Sequence, residues 1–344
     1  MWFRGCTDRW LAGTTSQLRM RAHLDSRDRV VVMHVHGHAG MKSLRRKRIL
    51  SVLLVLSVLF ANACSTAPPE KAKIALGEAF RTFHVYAQPG TAAAFVNSWI
   101  ATFGGTAQPP ANGIDLTPYP SKATAIMLSS PVAALSVYDF STGIPYPFGR
   151  EVSGWGVTDV DEGVKQASAA DAQVLVAPFD DPLGRDAVIQ FPAGNAVQLW
   201  HLFDLPSNLY PPLTTKPDLR IYVPESSMNQ FLDSYLAFTQ GTTASDSAKA
   251  DGAQIGLEGK TYHRVVTTSD YGNTVVIGTD GQLPYPFGRE SAGIAVPSVA
   301  DTLHKAKASG ATVLWGPYAA PDGHSAIVQF PGAYVVEIHD GQMR

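Results

Sequence analysis

Cysteine is almost absent from this chain: Cys6 and Cys64 are the only two in 344 residues. Cys6 falls in a leading segment set apart below, so the rest of the chain has one thiol. That excludes an internal disulfide and a paired-cysteine redox motif. Long apolar runs are equally scarce. The one strong example, "ILSVLLVLSVLF" at residues 49–60, has 12 residues, short of the ~18 to 20 that a membrane-spanning helix needs. Basic charge is not in excess either. The formal net charge is −2, and from Cys64 onward 16 Lys and Arg stand against 26 Asp and Glu, a net −10. Neutralising a phosphate backbone takes a basic face, so nucleic acid is not an expected partner. A Ser-His-Asp pattern and a glycine-rich phosphate loop are also missing, which leaves nucleophilic hydrolysis and nucleotide chemistry without residues to carry them.

What is present near the start is a processing signal. "MKSLRRKR" from Met41 is a basic leader, the apolar run follows, and "ANAC" brings small residues up to Cys64. The stretch resembles a bacterial lipoprotein signal, with residues 41–63 as signal peptide, Cys64 as the acylated first mature residue and 64–80 as a linker. That resemblance implies a place in the cell envelope, soluble domains outside the cytoplasm and a membrane anchor at Cys64. Residues 1–40 precede the leader and are read as an upstream extension. The tag-like "HVHGH", with His34, His36 and His38, is set aside with them.

The heptapeptide "PYPFGRE" occurs at residues 145–151 and again at 284–290. Laid on each other, residues 145–201 and 284–340 align without a gap and agree at 23 of 57 positions, which is an internal duplication. Upstream the match continues at another offset. "FHVYAQPGTAAAFVNSWIATFGGT" from Phe83 corresponds to "LRIYVPESSMNQFLDSYLAFTQGT" from Leu219, pairing Phe95 with Phe231 and Trp99 with Tyr235. Two domains follow, 81–206 and 207–344.

Within a copy, residues 83–87 alternate like a strand. Residues 91–103 place Ala92, Phe95, Val96, Trp99 and Ile100 at the three-and-four spacing of an amphipathic helix. Strands at 122–130 and 132–140 come next. The order then restarts with a strand at 154–160, a helix over 161–172 that Asp161 is placed to cap, and the strands "QVLVAPF", "DAVIQFP" and "AVQLWHL". Each copy is two strand-helix-strand-strand-strand units, four in all, and the fold class is α+β.

"GWGVTDVDEGVKQ" from Gly154 opens a module that "GRDAVIQFPAGNAVQLW" closes; "GIAVPSVADTLHK" from Gly293 and "GHSAIVQFPGAYVVEIH" mirror it. In this order of motifs the chain resembles the vicinal-oxygen-chelate superfamily, which includes glyoxalase I, extradiol dioxygenases and bleomycin-binding proteins. The resemblance implies two tandem vicinal-oxygen-chelate-like domains, each of two βαβββ modules whose sheets enclose a cavity. Enzymes of that family hold a divalent metal with a His on a module's first strand and a Glu near the end of a last strand. The matching metal positions are His84, Val152 and Gln198 in the first copy, and Arg220, Ser291 and Glu337 in the second. Neither copy has the set, so no cofactor is expected. A divalent metal is the alternative, with His201 or Tyr138 supplying further ligands.

Other residues are candidates for holding a ligand. Glu337 and His339 lie two apart on one strand and share a face, as do Gln198 and Trp200; solvent exposure and core filling are the competing readings. His84 reads equally as an interior histidine. "PYPFGRE" joins the two modules of each copy, its prolines and glycine shaping the join. Arg and Glu are adjacent there, so Arg150 or Glu151, and Arg289 or Glu290, reach a cavity mouth unless the segment is a structural seam. "PFDDPLGRD" reads as a hairpin turn. The expected function is small-molecule binding in a sheet-enclosed cavity by an envelope-tethered protein. The alternatives are a metal-dependent lyase or dioxygenase acting from the first copy, and a structural or partner-binding lipoprotein with filled cavities.

Overall fold

In the computed structural model, which describes residues 71–206, 209–320 and 323–341, both copies build a sheet by the same rule. The leading extension, the signal segment and Cys64 lie outside the described residues. The first copy runs β1 (Arg81–Ala87), α1 (Ala92–Phe103), β2 (Thr106–Ala107), β3 (Ala111–Ile114), β4 (Ala123–Ser129), β5 (Ala134–Phe140), β6 (Ser153–Gly156), α2 (Val160–Ala169), β7 (Gln173–Asp180), β8 (Gly184–Gln190) and β9 (Ala196–Leu202). The second runs β10 (Asp218–Val223), α3 (Met228–Thr239), β11 (Thr242–Asp251), β12 (Thr261–Ser269), β13 (Gly272–Gly278), β14 (Ser291–Ala295), α4 (Val299–Ala308), β15 (Thr312–Ala320), β16 (Gly323–Phe330) and β17 (Tyr334–His339).

The strand orders match. The first sheet reads β2-β4-β5-β1-β6-β9-β8-β7, with β3 beside β4, and the second β11-β12-β13-β10-β14-β17-β16-β15. In each sheet the two modules meet antiparallel at their first strands, β1 on β6 and β10 on β14, while each first strand pairs parallel with its own module's last. These are the expected βαβββ modules, two to a sheet. One local expectation differs: α2 starts at Val160, and Asp159, not Asp161, caps it by accepting the Glu162 amide at 2.9 Å. Asp159 has the extended backbone that a cap requires, whereas Asp161 sits in the first turn and binds Arg185 at 2.7 Å.

Alternation along each strand divides the faces. Phe83 and Val85 enter the core beneath the helices, and Tyr86 joins a separate cluster on the other face. The helix-bearing faces of the two copies then cover each other, α1 against α4 and α2 against α3. One aromatic core runs through both. Trp155 of β6 stacks on Tyr271, ring centroids 4.7 Å apart, and on Phe238 at 5.9 Å, while Trp99 meets Phe330 at 5.2 Å. Residues 72–80 lie along this body as well, with Ile74 buried and its carbonyl accepting the Thr158 amide at 2.8 Å.

Two charged residues cross between the copies. The Arg81 guanidinium, 3 % exposed, donates to the carbonyls of Pro217 and Asn273 at 2.6 Å each. Glu290 accepts from the Asn195 side-chain amide at 2.8 Å, and burial pushes its carboxyl up to about 8. A raised acid favours the protonated folded state, so the stability it permits is fully present below its ordinary value near 4.3 and is lost as pH rises through about 8. Glu290→Gln removes that dependence. Thermal melts from pH 4 to 9 should show wild type losing stability relative to the variant between about pH 4.3 and about 8 and levelling off above that; parallel curves throughout would contradict the burial assignment.

Candidate functional site

The face of the first sheet turned away from the helices carries a cavity of about 570 Å³, including its mouth. Tyr86 of β1, Tyr138 of β5 and Trp200 of β9 line it together with Phe148, Met127 and Tyr210. Strand alternation puts them there, because their neighbours Val85, Val137 and Leu199 fill the shared core. Burial pushes the phenols of Tyr86, Tyr138 and Tyr210 above their ordinary range, so these groups stay neutral. Trp200 is 7 % exposed, and its indole N–H has no hydrogen-bond partner among the described residues.

Gln198 shares this wall with Asp186 of β8 and favours its charged form. Asp186 is 6 % exposed, and burial followed by the charge of nearby Asp181 pushes its carboxyl well above the usual range. Asp181 accepts the amides of Leu183 and Gly184 at 2.7 Å each. Reading "PFDDPLGRD" as a turn was correct for Asp181 but left out what the turn presents to the cavity. A comparison of the copies carries the missing signal: Asp181 and Asp186 align with Ala320 and Ser325.

His84 and Glu151 lie together on this side of the sheet. The His84 ring is buried, with Nδ1 3.6 Å from Glu151 Oε1, and the Tyr86 hydroxyl donates to that same oxygen. Neither imidazole nitrogen makes a hydrogen bond, and neither does Glu151 Oε2. Gly154 is required beside this ring, since a Cβ there would collide with His84 Nε2 and with Trp200. The other residues of the repeated heptapeptide go elsewhere. Arg150 is exposed and stacks on Tyr146 at 5.2 Å, and Arg289 does the same on Tyr285 at 5.4 Å. Neither arginine lines a cavity. The two glutamates also differ, Glu151 turning to His84 and Glu290 to Asn195 of the other copy.

In the second copy the corresponding strands hold a closed ionic network. Arg220 of β10 has Nη1 2.7 Å from Glu337 of β17 and Nε 2.9 Å from Asp218, the latter close in charge without hydrogen-bond alignment. His339 Nε2 lies 3.1 Å from the other Asp218 oxygen. Burial alone would raise the Asp218 carboxyl, but Arg220, His339 and Arg81 together hold it far below the ordinary range. For Glu337 burial prevails over Arg220 and the carboxyl stays above its usual value. Asp218 escaped notice in the sequence because its partners are two and 121 residues away.

This donor chemistry does not fit a divalent ion. In the second copy a guanidinium occupies the ground between the two carboxylates, and in the first, the neutral Gln198 stands where the second copy has Glu337. Among the described residues no three His, Cys, Asp or Glu side chains converge as ligands. Breaking the network is expected to be costly, because Arg220→Met strands two buried acids. Urea unfolding should register a loss of about 3–5 kcal/mol, part of it recovered by adding Glu337→Gln. A loss within about 0.5 kcal/mol, as for a surface change, would mean that the network adds nothing.

No protein-family model and no curated protein matches the chain. Solved structures do. A fusion protein of a xylose isomerase-like TIM barrel and a 4-hydroxyphenylpyruvate dioxygenase aligns at TM-score 0.50 and 12 % identity, over 84 % of this chain and 53 % of that one. A mutant 4-hydroxymandelate synthase from Streptomyces coelicolor aligns at 0.49 and 11 %, over 76 % and 94 % of the two chains. An extradiol ring-cleaving dioxygenase from B. fuscum gives 0.49 and 14 %, over 80 % and 74 %. At such identities the likeness concerns the fold. Taken with the strand order of both sheets, it shows that this chain has the vicinal-oxygen-chelate fold, with four βαβββ modules paired in two tandem sheets.

Proposed function

We propose that this protein binds a small organic molecule in the cavity of its first copy, without a resident metal, and that a lipid at Cys64 tethers it in the cell envelope. One observation carries the binding reading: a cavity on the outward face of the first sheet walled by Tyr86, Tyr138, Phe148 and Trp200. An apolar wall with a few polar groups is the usual composition of a ligand pocket. The second copy supports the reading by contrast, since its equivalent strands satisfy their charges internally. The tether rests on the basic leader, the apolar run and the small residues before Cys64.

N-phenyl-1-naphthylamine, a neutral dye that brightens in apolar surroundings, serves as a first probe. Its fluorescence should saturate at one site per chain. Ser136→Phe places a ring inside the cavity that Ser136 lines, so dye binding should fall at least tenfold with the circular dichroism unchanged. An equal response from wild type and this variant would place the binding elsewhere. For the tether, Cys64→Ser should move the protein from the membrane to the soluble fraction of fractionated cells; retention would refute a lipid at Cys64.

A further inference from the structure

We propose that the first-copy cavity selects an organic cation, an ammonium group on an apolar body, by setting it among aromatic rings against the carboxyl groups of Asp181 and Asp186. The inference rests on the binding function proposed above and narrows it to a ligand class.

The charge distribution is the first argument. Among the described residues, Asp181 and Asp186 are the only ones of charged type on the cavity wall, where no Lys, Arg or His appears. Arg185 lies between them in sequence but is drawn to the outside by Asp161 and Asp180, at 2.7 and 2.6 Å. Among the described residues neither Asp181 nor Asp186 has an ion pair. Burial raises both carboxyls, helped by the charge of Asp180 at Asp181 and by that of Asp181 at Asp186, so negative charge in this space is costly. A ligand cation would supply the missing counter-charge; an anion would add to the repulsion.

The rings are the second argument. Asp186 stands directly across from Trp200 in the β8–β9 ladder, which places carboxyl and indole side by side on the cavity face. Tyr138 and Phe148 complete the surroundings. A cation over such faces is attracted by the ring quadrupole, more strongly as water is excluded. The second copy has Ala320 and Ser325 in place of the two acids, so this arrangement belongs to the first copy alone.

The test uses two probes of nearly identical shape, phenyltrimethylammonium and tert-butylbenzene, each displacing N-phenyl-1-naphthylamine from the full-length protein. The cation should displace the dye at a concentration at least tenfold lower than the hydrocarbon. Asp186→Asn should shrink that preference about tenfold while leaving tert-butylbenzene unaffected, and Asp181→Asn provides the same reading should the first variant fold poorly. Equal displacement by both probes, or preference for the hydrocarbon, overturns the cation inference while leaving the cavity function standing. Absence of dye binding at the cavity removes both. A preference for the cation that survives both substitutions also overturns the proposal, because the selectivity would then come from another part of the molecule.

Discussion

The contact on which the molecule depends is the one between its two helix-bearing faces. A sheet with helices on one side has an apolar surface there that a single copy cannot cover, and here each copy covers the other's. Trp155 lying on Tyr271 and Phe238 is the centre of that contact, and Trp99 against Phe330 is its second point. Because the helix sides are consumed in this way, the free faces of the sheets point outward. Each copy thus keeps one face on which side chains are not dictated by the core, and function has room there to differ.

The two outward faces have diverged along electrostatic lines. The second copy answered its buried acids from within: Arg220 lies between Asp218 and Glu337, and His339 meets the remaining oxygen of Asp218. The first copy has no such arginine, since His84 holds the place of Arg220, and the acids on its cavity wall are Asp181 and Asp186. One copy therefore carries its cation as a side chain while the other leaves its acids without one. Duplication permits this, since a copy whose buried acids are paired internally can act as support for one whose acids are not.

Much of the fold was legible because duplicated sequence reveals which positions the architecture needs. Gly154 and Gly293 agree in both copies, and the structure gives a steric reason for each: His84 beside the first, Asp218 and Arg220 beside the second. The shared heptapeptide likewise marks the join between modules, with each exposed tyrosine carrying its arginine. What could not be read was whatever depends on the other copy or on a distant strand. Glu151 and Glu290 stand in identical heptapeptides, yet one turns to its own first strand and the other crosses to Asn195. Asp181 and Asp186 were hidden for another reason. Aspartate is so common in turns that its presence there carries little information until the register of β8 and β9 shows Asp186 facing Trp200.

Arg81 ties the order of synthesis to the order of folding. Its carbonyl partners at Pro217 and Asn273 lie 136 and 192 residues further along the chain, and until both exist the guanidinium is incompletely bound. Burying it alone would cost several kcal/mol. A nascent first copy consequently keeps its opening strand unsealed at one end, even after every residue of its own sheet has left the ribosome. Closure waits for β13, and the two tandem halves reach their final state together instead of one after the other.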